Sequence, residues 1–187
     1  RGEFTVMMAK AMGYRPVMTI EEDDEPGDYE PRLSFQDLYE DLEGDDEDET
    51  LENLRRYGVW IETAARNGLV RGFPSEDDDD PRPEFRMKEP LPREQAVAIL
   101  ARAAGLTLSD DRNAVDTALK RAFTDWDKIS PWARPYVLAG YQAKYIEGVP
   151  ETTAEGRTTY KFEPERNLTR AEAAKLVYFM AKKNKKL

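Results

Sequence analysis

The sequence predicts a mostly helical, all-α fold assembled from repeated units, and three observations carry that prediction. One helix start recurs three times, at Arg1-Gly2-Glu3, Arg93-Glu94-Gln95 and Arg170-Ala171-Glu172. Each opens a run with apolar residues at helical spacing, as in Ala173, Leu176, Val177 and Met180. The spacing also repeats: Phe85 to Arg93 and Phe162 to Arg170 are both 8 positions. Internal repetition of this kind is a stronger fold signal than local propensity.

Taken in order, residues 3–13 form the first expected helix, stopped at Gly13. Residues 15–33 read as loop, with Pro16, Pro26 and Pro31 beside the acidic run Glu21, Glu22, Asp23, Asp24 and Glu25. Phe35-Gln36-Asp37-Leu38 opens a new unit. The block Asp45–Glu49 is expected to be a solvated loop. A helix with Leu54, Trp60, Ile61, Ala64 and Ala65 inward then ends at Gly68. The extended piece Leu69-Val70-Arg71-Gly72 and a second acidic block, Glu76–Asp80, precede the helix from Leu91 to Gly105.

The next unit repeats the plan. Phe123-Thr124-Asp125-Trp126 matches Phe35-Gln36-Asp37-Leu38, and Tyr145-Ile146-Glu147-Gly148 matches Leu69-Val70-Arg71-Gly72. Between them, Pro131-Trp132-Ala133 starts a helix carrying Tyr136, Val137 and Leu138. Phe35 to Gly72 is 37 positions against 25 from Phe123 to Gly148, so the earlier unit carries an insertion of 12, placed around Asp45–Thr50.

The charge is uneven. Net charge is −10, yet residues 1–90 hold 11 Lys and Arg against 26 Asp and Glu, whereas residues 91–187 hold 17 against 12. An acidic half argues against general nucleic-acid binding. The chain has no Cys, hence no disulfide or thiol metal site, and no His, which removes the commonest general base and zinc ligand. Neither acidic block has the spaced Asp and Gly pattern of an EF-hand, so no metal or other cofactor is expected. Adjacent acids repel rather than position one another, and no carboxylate pair is fixed for glycoside hydrolysis. No apolar run approaches the ~20 residues that span a bilayer. The chain begins at Arg1 rather than Met and is read as a piece, so the lack of a visible signal peptide says little about export.

The last helix start is the most complete. Thr169 is a cap, Glu172 can reach back to the Thr169 N–H, and Leu168 precedes them, which is a capping box with a hydrophobic staple. Arg170 opposes the helix dipole there, and a cation beside free N–H groups is a setting for an anion. In the middle copy Pro92 and Gln95 replace Thr and Glu, so that box is expected to be incomplete.

This pattern resembles the S-layer homology family. The matching residues are Phe123, Asp125, Trp132, Ala133, Tyr136, Ile146, Gly148, Phe162, Pro164, Thr169, Arg170, Ala171 and Glu172. The unit 35–105 departs at Met87, Pro92, Gln95 and Arg56-Tyr57. The resemblance divides the chain into the end of a first repeat (1–13), an acidic linker (14–34), a second repeat with acidic insertions (35–105), a linker or connecting helix (106–122) and a third repeat (123–187). It implies a pseudo-threefold assembly around a central three-helix bundle, with the helices from Arg1, Arg93 and Arg170 packed together and ligand grooves between repeats.

The function it implies is non-catalytic anchoring at the extracellular bacterial surface. The implied partner is a cell-wall polysaccharide or peptidoglycan-linked glycan, often a secondary polymer bearing a pyruvate ketal. A structural module that assembles with its own copies or a surface partner is the alternative. The candidate ligand residues are Arg1, Arg93, Arg170, Glu172, Trp132, Asp125, Gly148 and Gly72. Arg170 is expected to weigh more than Arg93, because its helix start keeps Thr169 and Glu172. Trp132, like Trp60, is either a sugar-stacking platform or a core residue on an apolar helical face. Asp125, like Asp37, either touches ligand or, as an Asp after an aromatic in a turn, bonds its own backbone. Gly72 and Gly148 supply an unusual backbone conformation or a close approach.

Overall fold

The computed structural model describes residues 1–21 and 23–183; Glu22 of the acidic linker and positions 184–187 of the third repeat lie outside the described residues. The chain divides into two units, Arg1–Glu89 and Pro90–Leu187. Among the described residues there are eight α-helices and one two-stranded hairpin, so the regular structure is nearly all helical.

The first unit contains α1 (Gly2–Ala11), a 3₁₀ turn (Pro26–Arg32), α2 (Leu38–Leu42), α3 (Glu47–Asn53), a π-helical stretch (Leu54–Gly58) and α4 (Val59–Arg66). Its core is Phe4 and Met8 of α1 with Phe35, Leu38, Leu42, Leu54, Ile61 and Phe85, all buried. The block Asp45–Glu49 is not the expected solvated loop. Asp46 caps α3 by accepting the Glu49 N–H at 2.8 Å, and the Glu49 carboxylate accepts the Asp45 N–H at 2.8 Å. Carboxylates in a first helical turn are stabilised by the helix dipole, so this run nucleates a helix. Helix α3 thus runs on into α4 through a π-helical stretch, a rare form that occurs mostly as a single turn inside a longer helix.

The second unit contains α5 (Arg93–Ala103), α6 (Arg112–Ala122), a 3₁₀ turn (Trp126–Lys128), α7 (Arg134–Gln142), the hairpin β1 (Val149–Thr152) and β2 (Thr158–Lys161), and α8 (Arg170–Lys183). The strands pair antiparallel, with Val149 opposite Lys161. Helix α5 packs against α7 and α8, around a core of Val97, Leu119, Phe123, Val137, Ile146 and Phe162.

Both units are built on one plan. The rings of Phe35 and Phe85 lie 5.0 Å apart, and those of Phe123 and Phe162 lie 5.6 Å apart. Asp37 accepts the N–H groups of Phe85 and Arg86 at 2.7 and 2.6 Å, and Asp125 accepts those of Phe162 and Glu163 at 2.7 and 2.8 Å. Arg86 and Glu163 share the same left-handed backbone, each with φ of 57°. Each Phe loop then receives a motif helix. Gly2 donates its N–H to the Met87 carbonyl at 3.0 Å, and Glu94 to that of Pro164 at 3.0 Å. Each compact unit therefore joins the motif helix of one sequence repeat to the Phe loop of the next, and the division after Glu89 falls inside the 35–105 repeat.

Candidate functional site

A cavity of about 390 Å³ opens in the second unit where three segments meet. Arg93 enters from the first turn of α5, and the turn 144–148 comes from the link between α7 and β1. Glu172, Lys175, Leu176 and Phe179 stand at helical spacing on one side of α8. The volume lies within the range of small-molecule sites, about 300–1,000 Å³.

Arg93 is held at the junction by its backbone. Its N–H donates to the Arg166 carbonyl at 2.9 Å, and the N–H of Gln95 to Pro92 at 3.1 Å. With Glu94 donating to Pro164, these N–H groups of α5 are occupied by protein carbonyls. At this helix start it is therefore the Arg93 side chain that reaches the cavity. The guanidinium donates to the Glu147 carbonyl at 2.9 Å and lies over the Phe162 ring at 5.5 Å. Its side chain is only 16% exposed, and the Nε is buried without a hydrogen-bond partner among the described residues. Burial, and then the charge of Arg166, press its pKa below the ordinary arginine value.

Glu172 lies 4.0 Å from Arg93 but is committed elsewhere. Arg166 grips it through two nitrogens at 2.6 and 3.1 Å, a bidentate pair. The capping box read from the sequence is present: Thr169 N–H donates to Glu172 at 3.0 Å, and Glu172 N–H donates to the Thr169 hydroxyl at 3.2 Å. The Arg166 bond first, then that N–H, lower the Glu172 pKa from 4.5 to about 2.

Three of the sequence-derived candidates, Arg93, Glu172 and Gly148, therefore line one cavity. Gly148 allows close approach, since a Cβ there would fall 2.6 Å from the Tyr160 Cβ. Asp125 is buried behind this wall and spends both oxygens on the Phe162 loop. Arg170 is exposed on α8 and is not on the lining. Trp132 is 48% exposed, in the turn that precedes α7, so the helical face assumed for it does not include it.

Arg1 and Gly72 belong to the first unit. The Arg1 guanidinium donates to the carbonyls of Phe85 and Arg86 at 3.1 and 2.6 Å, and the Arg1 side chain is only 5% exposed. Gly72 has φ of 70°, and a Cβ there would lie 2.6 Å from the Glu84 carbonyl oxygen. Sequence reading missed Lys144, Lys175 and Phe179 on the cavity, and Arg166 beside it. Lys144 alone carried a signal: it stands at a helix stop where the chain elsewhere uses glycine.

The family model for the S-layer homology domain matches residues 122–174, which include the Phe123 and Phe162 loops, Gly148 and Glu172. An amylopullulanase of Thermoanaerobacterium thermosulfurigenes is 31% identical over 129 residues, which cover 68% of this chain and 6% of that protein. No solved structure matches the chain. Over residues 122–174, then, the chain is similar in sequence to an S-layer homology domain, and that stretch supplies most of the cavity wall.

Proposed function

We propose that the chain is a non-catalytic anchoring module that binds an acidic wall polysaccharide in the groove beside Arg93. The observation that carries this reading is the state of Arg93: a largely buried cation on a cavity wall, with a buried Nε that has no hydrogen-bond partner among the described residues. A buried charge without full pairing is costly, and a carboxylate on a sugar would pair with the planar donors of the guanidinium. Glu172 competes weakly, because Arg166 already neutralises it.

The S-layer homology match supports a surface-anchoring role, and a secondary cell-wall polymer bearing a pyruvate ketal is the ligand that fits the resemblance. The same resemblance supports a threefold assembly of repeats at the extracellular face of a bacterial wall. Among the described residues no helix is long and apolar enough to cross a membrane. The match to the amylopullulanase spans 6% of that protein, too small a part to carry its activity across.

The test is retention of the chain on wall sacculi before and after extraction of the wall polysaccharide. Retention should disappear with the polysaccharide and be competed by the soluble polymer. Equal retention on extracted sacculi would replace this reading with assembly on a protein partner or on copies of the chain.

A further inference from the structure

Among the described residues, four helices end in the same way. After α1, α4, α5 and α7, the C′ residue donates to a carbonyl three residues back and the next residue to one five back: Gly13 to Lys10 and Tyr14 to Ala9, Gly68 to Ala65 and Leu69 to Ala64, Gly105 to Arg102 and Leu106 to Ala101, Lys144 to Tyr141 and Tyr145 to Gly140. This closure needs a left-handed C′ residue, and glycine is the usual one because it lacks the Cβ that crowds that conformation. Three of the four ends use glycine, with φ of 66°, 72° and 60°; the fourth places Lys144 at 59°.

Lack of space does not explain the glycine at the matching position of the first unit. A Cβ at Gly68 would meet nothing within 4 Å, so the cost of a side chain there is conformational. A lysine that accepts this cost stands on the cavity wall, alongside Arg93 and Lys175. Left-handed non-glycine residues persist where the surrounding structure holds them, and they cluster at functional sites.

We infer that Lys144 is a ligand-contacting residue of this groove, whose ammonium is a second cation, after Arg93, for an acidic glycan. The inference rests on the glycan-binding reading above. Arg93 makes the buried, planar contact, and Lys144 meets the same acidic substituent from the solvent side as a strongly hydrated point charge. The lysine trades backbone strain for recognition, so removing it should improve the fold and impair binding together.

The experiment uses the full chain and purified wall polysaccharide in isothermal titration, with melting temperature measured on the same samples. Lys144→Met should weaken binding about 5- to 20-fold, and Lys144→Arg should stay within about 3-fold of the parent. Lys144→Gly should weaken binding as Lys144→Met does while raising the melting temperature by about 2–4 °C. Unchanged affinity in Lys144→Gly or Lys144→Met, with Arg93→Ala still defective, overturns the inference and leaves the glycan-binding reading standing. A parent chain that does not bind the polysaccharide overturns both. Loss of affinity in Lys144→Gly with a lowered melting temperature also counts against the inference, because lysine would then be stabilising the turn.

Discussion

The Asp125 carboxylate accepts the N–H of Glu163 at 2.8 Å, and Glu163 is held there with φ of 57°. The other oxygen accepts the N–H of Phe162 at 2.7 Å. A single buried carboxylate therefore fixes a left-handed residue at the loop that receives the start of α5 and so positions Arg93.

Asp125→Ala should destabilise the chain by about 2–4 kcal/mol, since two N–H groups at a buried loop lose their acceptor. Glu163→Gly should gain roughly 1 kcal/mol by relieving the left-handed strain. Denaturant titration checks both. A neutral Asp125→Ala would show that water replaces the carboxylate and that the loop does not depend on it.

Arg93→Ala should weaken binding to wall polysaccharide by about 1.5–3 kcal/mol, the range of a charged hydrogen bond. Arg93→Lys should recover only part, because a point charge cannot make the planar two-bond contact. Arg170→Ala should matter less, since Arg170 is exposed and off the cavity wall. This order reverses the expectation drawn from the completeness of the two helix starts. Calorimetry on the three variants decides it, and a larger loss at Arg170 would move the site to the outer face of α8.

Thr169→Ala should cost about 1 kcal/mol by removing a cap. Pro92→Thr should be nearly neutral, because Arg166 and Pro164 carbonyls already accept the N–H groups of Arg93 and Glu94. Comparable losses at both positions in a urea titration would contradict this accounting.

The pH dependence follows from Glu172. Its pKa falls from 4.5 to about 2 on folding, through Arg166 first and the Thr169 N–H next. A depressed carboxylate stabilises the fold above its unfolded pKa, and that contribution is lost as pH falls from about 4.5 towards 2. Glu172→Gln should therefore lower the melting temperature at pH 7 and converge with the parent near pH 2. Parallel curves across that window would show that the pair with Arg166 adds nothing to stability.

Replacing Asp45–Glu49 by Gly and Ser should lower the melting temperature, because the block caps α3 through Asp46 and Glu49. The same exchange at Asp77–Asp79, which lies in loop and bends its own backbone, should be close to neutral. Thermal melts with and without calcium check this. Recovery by calcium in the parent alone would make the blocks metal sites.

The sequence alone determined what depends on local chemistry. The Thr169–Glu172 box and the glycine helix stops follow from capping and backbone freedom within a few residues, whereas Asp37 and Asp125 accept N–H groups 48 and 37 positions away rather than their own backbone. Helices α1, α5, α7 and α8 lie close to where periodicity put them. The acidic block misled because its charge argues for solvation, while its position as the first turn of an extended helix depends on what packs after it.

Tertiary structure decided which of the equivalent arginines lines a cavity. Arg1, Arg93 and Arg170 hold the same position in their helix starts, but burial separates them: Arg1 is sealed onto the Phe85 loop, Arg170 is exposed, and Arg93 lines a cavity. At the Arg93 junction the motif helix belongs to one sequence repeat and the loop that receives it to the next, with Pro92 and Pro164 72 positions apart in the chain. No pattern within a repeat contains that information. It exists only once the α5 start has docked on the Phe162 loop and desolvated the guanidinium there.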